Sequence, residues 1–109
     1  MRNAIVLLVV SFVATLVLAQ DRSQIRVIRS DINNGVVILT AQNGKLPLEL
    51  QCNQGIASCK RLEPGTYTMV KLPRNRGMYV DCDNVEIFEA AADPETADRL
   101  GQYWLAAGK

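Results

Sequence analysis

The sequence predicts a small all-β protein: an antiparallel sandwich or a partly open barrel of six or seven short strands, with one short helix near the C-terminus. Two observations support this fold class. Short runs rich in β-branched and aromatic residues recur at close spacing after residue 20, and Gly, Pro, Asn and Asp residues separate them. One of these runs also alternates between apolar and polar residues, which is the two-residue period of a strand with one buried face.

The first three strands are predicted to form a meander. The strands Gln24–Ile32 and Val36–Ala41 flank an Asn-Asn-Gly turn at residues 33–35, and an Asn-Gly turn at residues 43–44 leads into the third strand, Lys45–Cys52. Asn and Gly adopt positive φ angles at low cost, and the tight turns of β-hairpins require such angles. Each strand should therefore lie antiparallel beside the one before it.

The third strand shows its two faces most clearly. Pro47 has no backbone N–H to donate, so the strand is predicted to lie at an edge or to turn the amide position of residue 47 towards solvent. The apolar side chains occupy every second position and should share the inner face: Leu46, Leu48, Leu50 and Cys52.

The second half of the chain is predicted to supply four more strands. A Pro-Gly turn at residues 64–65 precedes the first of them, and a hairpin loop over residues 73–77 leads into the second. In that second strand Met78, Val80 and Cys82 should face one way. The four strands are Thr66–Leu72, Met78–Asp83, Val85–Ala90 and Gln102–Ala107.

A short helix is expected before the last strand. Asp93 and Pro94 are typical of a helix cap and of the first helical position, so the helix should cover residues 95–100 and end at Gly101. The last strand should then bring Tyr103 or Trp104 into the core.

Residues 1–19 have the composition of a signal peptide. Arg2 gives a positive start, an uncharged apolar run follows over residues 4–18, and the small residues Val17 and Ala19 suit a signal peptidase. Cleavage is predicted between Ala19 and Gln20, which leaves a single β-domain, residues 20–109, that is secreted or periplasmic. The alternative is an uncleaved leader that anchors the domain in a membrane, although a membrane span usually needs about 20 apolar residues.

Composition narrows the classes of function. Removal of Arg2 with the leader reduces the 12 basic residues to 11, which balance the 11 acidic residues. Binding of nucleic acid or of a membrane surface through charge needs a basic excess, so we expect no nucleic-acid partner, and a membrane only if the leader is uncleaved. The chain has no histidine, which excludes Ser-His-Asp and Cys-His catalysis and histidine-ligated zinc. No cofactor, metal site or catalytic residue is predicted.

The cysteines predict one disulfide and one remaining thiol. Cys52, Cys59 and Cys82 belong to a domain expected in an oxidising compartment. A Cys52–Cys59 bridge would close a short loop whose Gly55 eases a tight path, and a Cys52–Cys82 bridge would join two inward-facing stripes; Cys59–Cys82 or no bridge completes the alternatives. If Cys82 is left over, it is either a buried, inert thiol or the site of an intermolecular disulfide to a copy or a partner, which allows a disulfide-linked dimer.

The hairpin tip Arg74-Asn75-Arg76 is the candidate partner-binding element. Two guanidinium groups beside an exposed turn suit recognition of a carboxylate, sulfate or phosphate. The structural alternative is that these charges only keep the hairpin soluble.

Carboxylates offer the remaining chemistry. Asp81 and Asp83 alternate on what should be the solvent face of a strand, and Glu86 follows them. A solvated acidic face is the favoured interpretation, and a histidine-free hydrolase that uses these carboxylates is the alternative.

Residues 52–80 carry a motif: a Cys-x6-Cys spacing, then the Pro-Gly-x-Tyr turn that ends at Tyr67, then a tyrosine-bearing strand after a hairpin. This pattern resembles small secreted bacterial β-domains of uncharacterised function. The resemblance implies a β fold and a bridge between Cys52 and Cys59, and it implies no activity. Cys82 lies outside the matching pattern.

These observations together predict an exported, non-enzymatic β-domain. We expect it to act as a binding or structural module of the envelope or the extracellular space, in contact with another exported protein or an envelope component. The alternative is a small inhibitor of another exported protein that uses the Arg74–Arg76 hairpin, because rigid loops enter a cleft with little ordering cost.

Overall fold

Six antiparallel strands close into a barrel in the computed structural model, which describes residues 22–73 and 76–107. The strands are β1 (Arg22–Asn33), β2 (Val36–Asn43), β3 (Leu46–Asn53), β4 (Gly65–Lys71), β5 (Asn84–Glu89) and β6 (Gly101–Ala107). The predicted all-β fold is confirmed, as a closed barrel. The predicted leader lies outside the described residues, and the described part of the chain contains no helix long and apolar enough to cross a bilayer.

The barrel consists of two three-stranded meanders joined at both edges. Its strand order is β1-β2-β3-β6-β5-β4, so β1 pairs with β4 and β3 pairs with β6. β1 serves both halves: residues 22–27 pair with β4 and residues 26–33 with β2, with an irregular register between Val27 and Arg29. β6 likewise pairs with β5 through residues 101–104 and with β3 through residues 104–107. These two bent strands close the sheet on itself.

The turns of the first meander form where the sequence predicts them. Asn34 and Gly35 have φ angles of 51° and 80°, the left-handed conformation that a two-residue hairpin turn requires. Gly44, at the second turn, has a φ of 62°. β2 therefore pairs along its whole length with β3, from Val36 opposite Asn53 to Asn43 opposite Leu46.

The core fills the barrel with side chains of alternate strand positions. The predicted inner face of β3 is confirmed for Leu48, Leu50 and Cys52, whereas Leu46 is 54% exposed at the end of the strand. Pro47 is tolerated because the pairing of β3 with β6 begins only at residue 49. The core comprises Ile25, Val27, Val37, Leu39, Ala41, Leu48, Leu50, Cys52, Leu62, Met69, Val85, Ile87 and Tyr103.

The predicted helix over residues 95–100 is wrong. The Asp93 carboxylate accepts a hydrogen bond from the Glu95 amide (3.0 Å), and the Asp93 carbonyl accepts one from the Ala97 amide (2.8 Å), so a single turn does form. The chain then returns to the sheet, because the Leu100 amide donates to the Ile87 carbonyl (2.7 Å). One isolated turn lacks the length that makes a helix stable.

The predicted strand Met78–Asp83 is also wrong: this segment is a chain of bends and turns outside the sheet. Asp81 adopts a φ of 61°, which breaks an extended path. The buried side chain of Asn84 bonds the backbone of Tyr79 and so occupies groups that a strand would use for pairing.

Tyr103 links the core to the long connection between β3 and β4. Its side chain is fully buried, and its hydroxyl donates a hydrogen bond to the Lys60 carbonyl (2.6 Å). Burial raises the pKa of Tyr103 well above its ordinary value, because the charged phenolate would lose its hydration in the core. The residue therefore stays protonated in the folded protein at pH values where the unfolded chain ionises.

We expect Tyr103→Phe to reduce the free energy of unfolding by about 1 kcal/mol at pH 8, because the Lys60 carbonyl loses its partner. The wild type should then lose stability as the pH rises above about 10, by up to about 1.4 kcal/mol per pH unit, since only its unfolded state releases the tyrosine proton there. The variant lacks this loss. Urea unfolding from pH 8 to 11 should show the two stabilities converging; parallel curves would contradict the assignment.

Candidate partner-binding surface

Two loops lie against the β3–β6 seam. The disulfide loop (residues 54–60) follows β3, and the strap (residues 76–83) precedes β5. The pairing of β3 with β6 ends at Gln51, and neighbouring amides of these two strands bond to the loops instead. The Asn53 amide donates to the Tyr79 hydroxyl (3.2 Å), and the Gln102 amide donates to the Ser58 carbonyl (2.9 Å). The two loops therefore bond amides at the end of the β3–β6 pairing, and these hydrogen bonds hold the loops in place.

The disulfide loop is closed by the bridge between Cys52 and Cys59, whose Cα atoms are 5.4 Å apart. This finding decides between the pairings that the sequence leaves open and agrees with the one that the resemblance implies. Inside the ring the Cys59 amide donates to the Ile56 carbonyl (2.9 Å), and Gly55 adopts a φ of 94°. The ring is thus a tight turn that presents the Ile56 side chain outwards, at 36% exposure.

The strap is held against the barrel by Asn84. This side chain is 2% exposed and makes three hydrogen bonds: it accepts from the Tyr79 amide (3.1 Å) and donates to the carbonyls of Tyr79 (2.8 Å) and Cys82 (3.1 Å). The Tyr79 ring packs edge-on against Trp104, with the ring centroids 4.6 Å apart. A buried amide with all these partners fixes one backbone conformation.

Gly77 is required where the strap begins. Its φ is 101°, and a Cβ added there would overlap the side chain of Asn84. We expect Gly77→Ala to cost about 1–3 kcal/mol more than Gly44→Ala, because both glycines have positive φ but only Gly77 lacks space. Urea unfolding measures this difference. Trp104, the only tryptophan of the chain, should also change its fluorescence only in the Gly77 variant; equal effects of the two substitutions would contradict the packing.

Both loops expose large apolar side chains. Ile56 and Met78 are 36% and 42% exposed, and Val80 is 82% exposed, the highest fraction among the large hydrophobic residues that the structure describes. Met78 is placed by a contact of its sulfur with the Ser58 hydroxyl (3.4 Å). Val80 has no comparable cover within the strap. Exposed apolar side chains that lie close together, as Ile56 and Met78 do, are typical of interaction sites.

Two grooves lie beside the strap. The Met78 groove, of about 380 Å³, lies between the strap, the disulfide loop and the start of β6, and its lining includes Ile56, Lys60 and Leu100. The Cys82 groove, of about 450 Å³, is lined by residues of the strap, among them Arg76, Val80 and Cys82, and by Leu105. Residues of the strap therefore line both grooves.

The predicted partner-binding tip is described only in part. Arg74 and Asn75 lie outside the described residues, whereas Arg76 is exposed and lines the Cys82 groove. No sequence signal singles out Ile56, Met78 or Val80 for binding. The spacing of Met78 and Val80 matches that of a strand and predicts an inner face for both.

Cys82 is a free, half-buried thiol. The expected inward stripe of Met78, Val80 and Cys82 is wrong, because the strap turns Tyr79 towards the barrel and the first two residues towards solvent. The predicted intermolecular disulfide of Cys82 stays a prediction. It requires a species of doubled mass on a non-reducing gel, and that species should disappear in Cys82→Ser.

The acidic residues do not form one site. Asp81 and Asp83 are exposed in the Cys82 groove beside Arg76, whereas Glu86 accepts a hydrogen bond from the Arg99 guanidinium (2.8 Å). Within residues 22–73 and 76–107 no group of three His, Cys, Asp or Glu side chains is arranged to hold a metal ion.

Comparison with known proteins gives no functional information on this surface. No protein-family model, curated protein or solved structure matches the chain. The chemistry of the strap and its two grooves is therefore the basis for a functional proposal.

Proposed function

We propose that this protein is an exported binding module of the envelope or the extracellular space, without catalytic activity, and that the strap and the disulfide loop form its partner-binding surface. The exposure of Val80 on the strap is the observation that supports this proposal most strongly. A largely exposed apolar side chain costs solubility, yet here it stands on a backbone fixed by Asn84 and by the contact between Tyr79 and Trp104. A surface that is already ordered loses little entropy when a partner binds.

Export is part of the same proposal. The leader over residues 1–19 would direct the chain to a compartment in which disulfides persist, and the Cys52–Cys59 bridge is compatible with that location. Intact mass of the protein recovered from the producing organism should correspond to a chain that begins at Gln20. A mass that includes residues 1–19 would instead support the membrane-anchored alternative.

An inhibitor is a special case of this binding function. Sequence order places Arg74 and Asn75 directly before the strap, so a partner that contacts Val80 lies close to this basic segment in sequence. A hydrolase is supported less well. Asp81 and Asp83 are both exposed, and catalysis by a carboxylate pair depends on different environments for the acid and the base.

Val80→Asp tests the proposal. A charge at this position of the strap should reduce capture of the partner by about tenfold or more without changing the melting temperature, since the side chain is already in solvent. Leu46→Asp is the matched control, because Leu46 is 54% exposed but belongs to the end of β3. Cross-linked partners from the exported fraction are quantified by mass spectrometry for the wild type and both variants. Equal capture by the wild type and Val80→Asp would overturn the proposal.

A further inference from the structure

The Met78 groove combines an apolar lining with positive charge. Ile56, Met78 and Leu100 supply its apolar side chains, and Lys60 and Arg99 supply its cations. No carboxylate belongs to the lining among the described residues. A ligand that matches this groove therefore has apolar groups next to negative charge.

Three short hydrogen bonds tie the disulfide loop and the residue before β6 to the barrel. The Lys60 carbonyl accepts from the buried Tyr103 hydroxyl (2.6 Å), the Ser58 carbonyl accepts from the Gln102 amide (2.9 Å), and the Leu100 amide donates to the Ile87 carbonyl (2.7 Å). The strap closes the remaining side, where Met78 contacts Ser58. The groove is thus formed before any ligand arrives.

The two cations differ in whether they form an ion pair within the protein. The Arg99 guanidinium donates to Glu86 (2.8 Å), which offsets part of its charge. Lys60 is exposed, and none of the ion pairs of the described residues involves it. Lys60 is therefore the residue that would set a preference for an anionic group at this groove.

We infer that the Met78 groove binds an extended acidic segment of a partner polypeptide, with apolar side chains against Met78 and a flanking carboxylate beside Lys60. This inference rests on the proposed binding function and names the partner's chemistry. A volume of about 380 Å³ is near the lower end for ligand sites and suits one or two side chains. A nucleic acid is disfavoured, because single strands bind through aromatic stacking and many cations and no aromatic residue lines the groove in the described chain. The flexible side chain of Met78 adapts to different apolar groups.

The test uses three fluorescein-labelled hexapeptides that share a central Leu-Leu pair and carry Glu, Gln or Lys on both sides of it. Binding to the protein is followed by fluorescence polarisation. We expect the Glu peptide to bind about tenfold more tightly than the Gln peptide and the Lys peptide to bind most weakly. Added salt should narrow these differences, because the contacts are exposed to solvent.

Charge reversal at the groove gives the decisive comparison. Lys60→Glu should weaken binding of the Glu peptide by about tenfold and strengthen binding of the Lys peptide. Lys45→Glu makes the same change at the exposed β2–β3 turn and should leave the order of the three affinities unchanged. Equal affinities for the three peptides, no binding of any peptide, or equal effects of the two variants would each overturn the inference. If partner capture still depends on Val80 in that case, the proposed function stands without it. If partner capture does not depend on Val80, the proposed function is overturned, whatever the affinities of the three peptides.

Discussion

Leu50→Ala is expected to lower the free energy of unfolding by about 2–5 kcal/mol. Leu50 is fully buried in β3, between Leu39 of β2 and Leu105 of β6, so its truncation leaves a cavity in the centre of the barrel. Small domains are commonly stable by only about 5–15 kcal/mol, and the loss is a large part of that total.

Leu46→Ala is the matched control for this prediction. It is the same substitution on the same strand, but Leu46 is 54% exposed, and we expect a loss below about 1 kcal/mol. Urea unfolding of both variants gives the comparison. Similar losses at the two positions would show that β3 does not have the inner face that the barrel assigns to it.

Removal of the disulfide should have an effect of the same size. The double variant Cys52→Ala with Cys59→Ala is expected to lose about 2–5 kcal/mol, because the bridge restricts the unfolded chain and because Cys52 is itself a fully buried member of the core. The double variant should also weaken the packing at the β3–β6 seam, because the disulfide loop bonds β6 through the carbonyls of Ser58 and Lys60. The fluorescence of the tryptophan beneath the strap reports on that region during unfolding.

Cys82→Ala is the control, since this thiol is free and only half buried. We expect Cys82→Ala to change the free energy of unfolding by less than about 1 kcal/mol. The free energy of unfolding of the wild type in reductant should approach that of the double variant. A wild type whose unfolding does not respond to reductant would contradict the stabilising role of the bridge.

Most of the barrel follows from local sequence signals. The Asn-Gly turns and the alternation around Leu48 and Leu50 predict the first meander, because each depends only on the residues within one turn or one strand. The way the barrel closes does not follow from them. Closure depends on the irregularity of β1 near Val27 and on the division of β6 between two neighbours, and both are set by the whole sheet.

The candidate site was less accessible to sequence reasoning. The spacing of Met78, Val80 and Cys82 is that of a strand, and no local signal opposes it. Asn84 determines the conformation of this segment instead. Its buried side-chain amide bonds the backbone N–H and C=O of Tyr79, so these groups do not pair in the sheet. The helix expected after Asp93 failed for a similar reason: its cap forms, but the return of the chain to β5 ends the turn. In both places a tertiary contact overrides a correct local pattern.

Amide hydrogen exchange, measured on the free protein and on its complex with the captured partner, tests the binding surface most directly. In the free protein the Tyr79 amide should exchange slowly, because it is bonded to buried Asn84. In the complex we predict added protection over residues 54–60 and 76–83 and little change at the β1–β2 hairpin. Protection confined to the outer face of β1 to β3, with the strap unchanged, would contradict the proposed function.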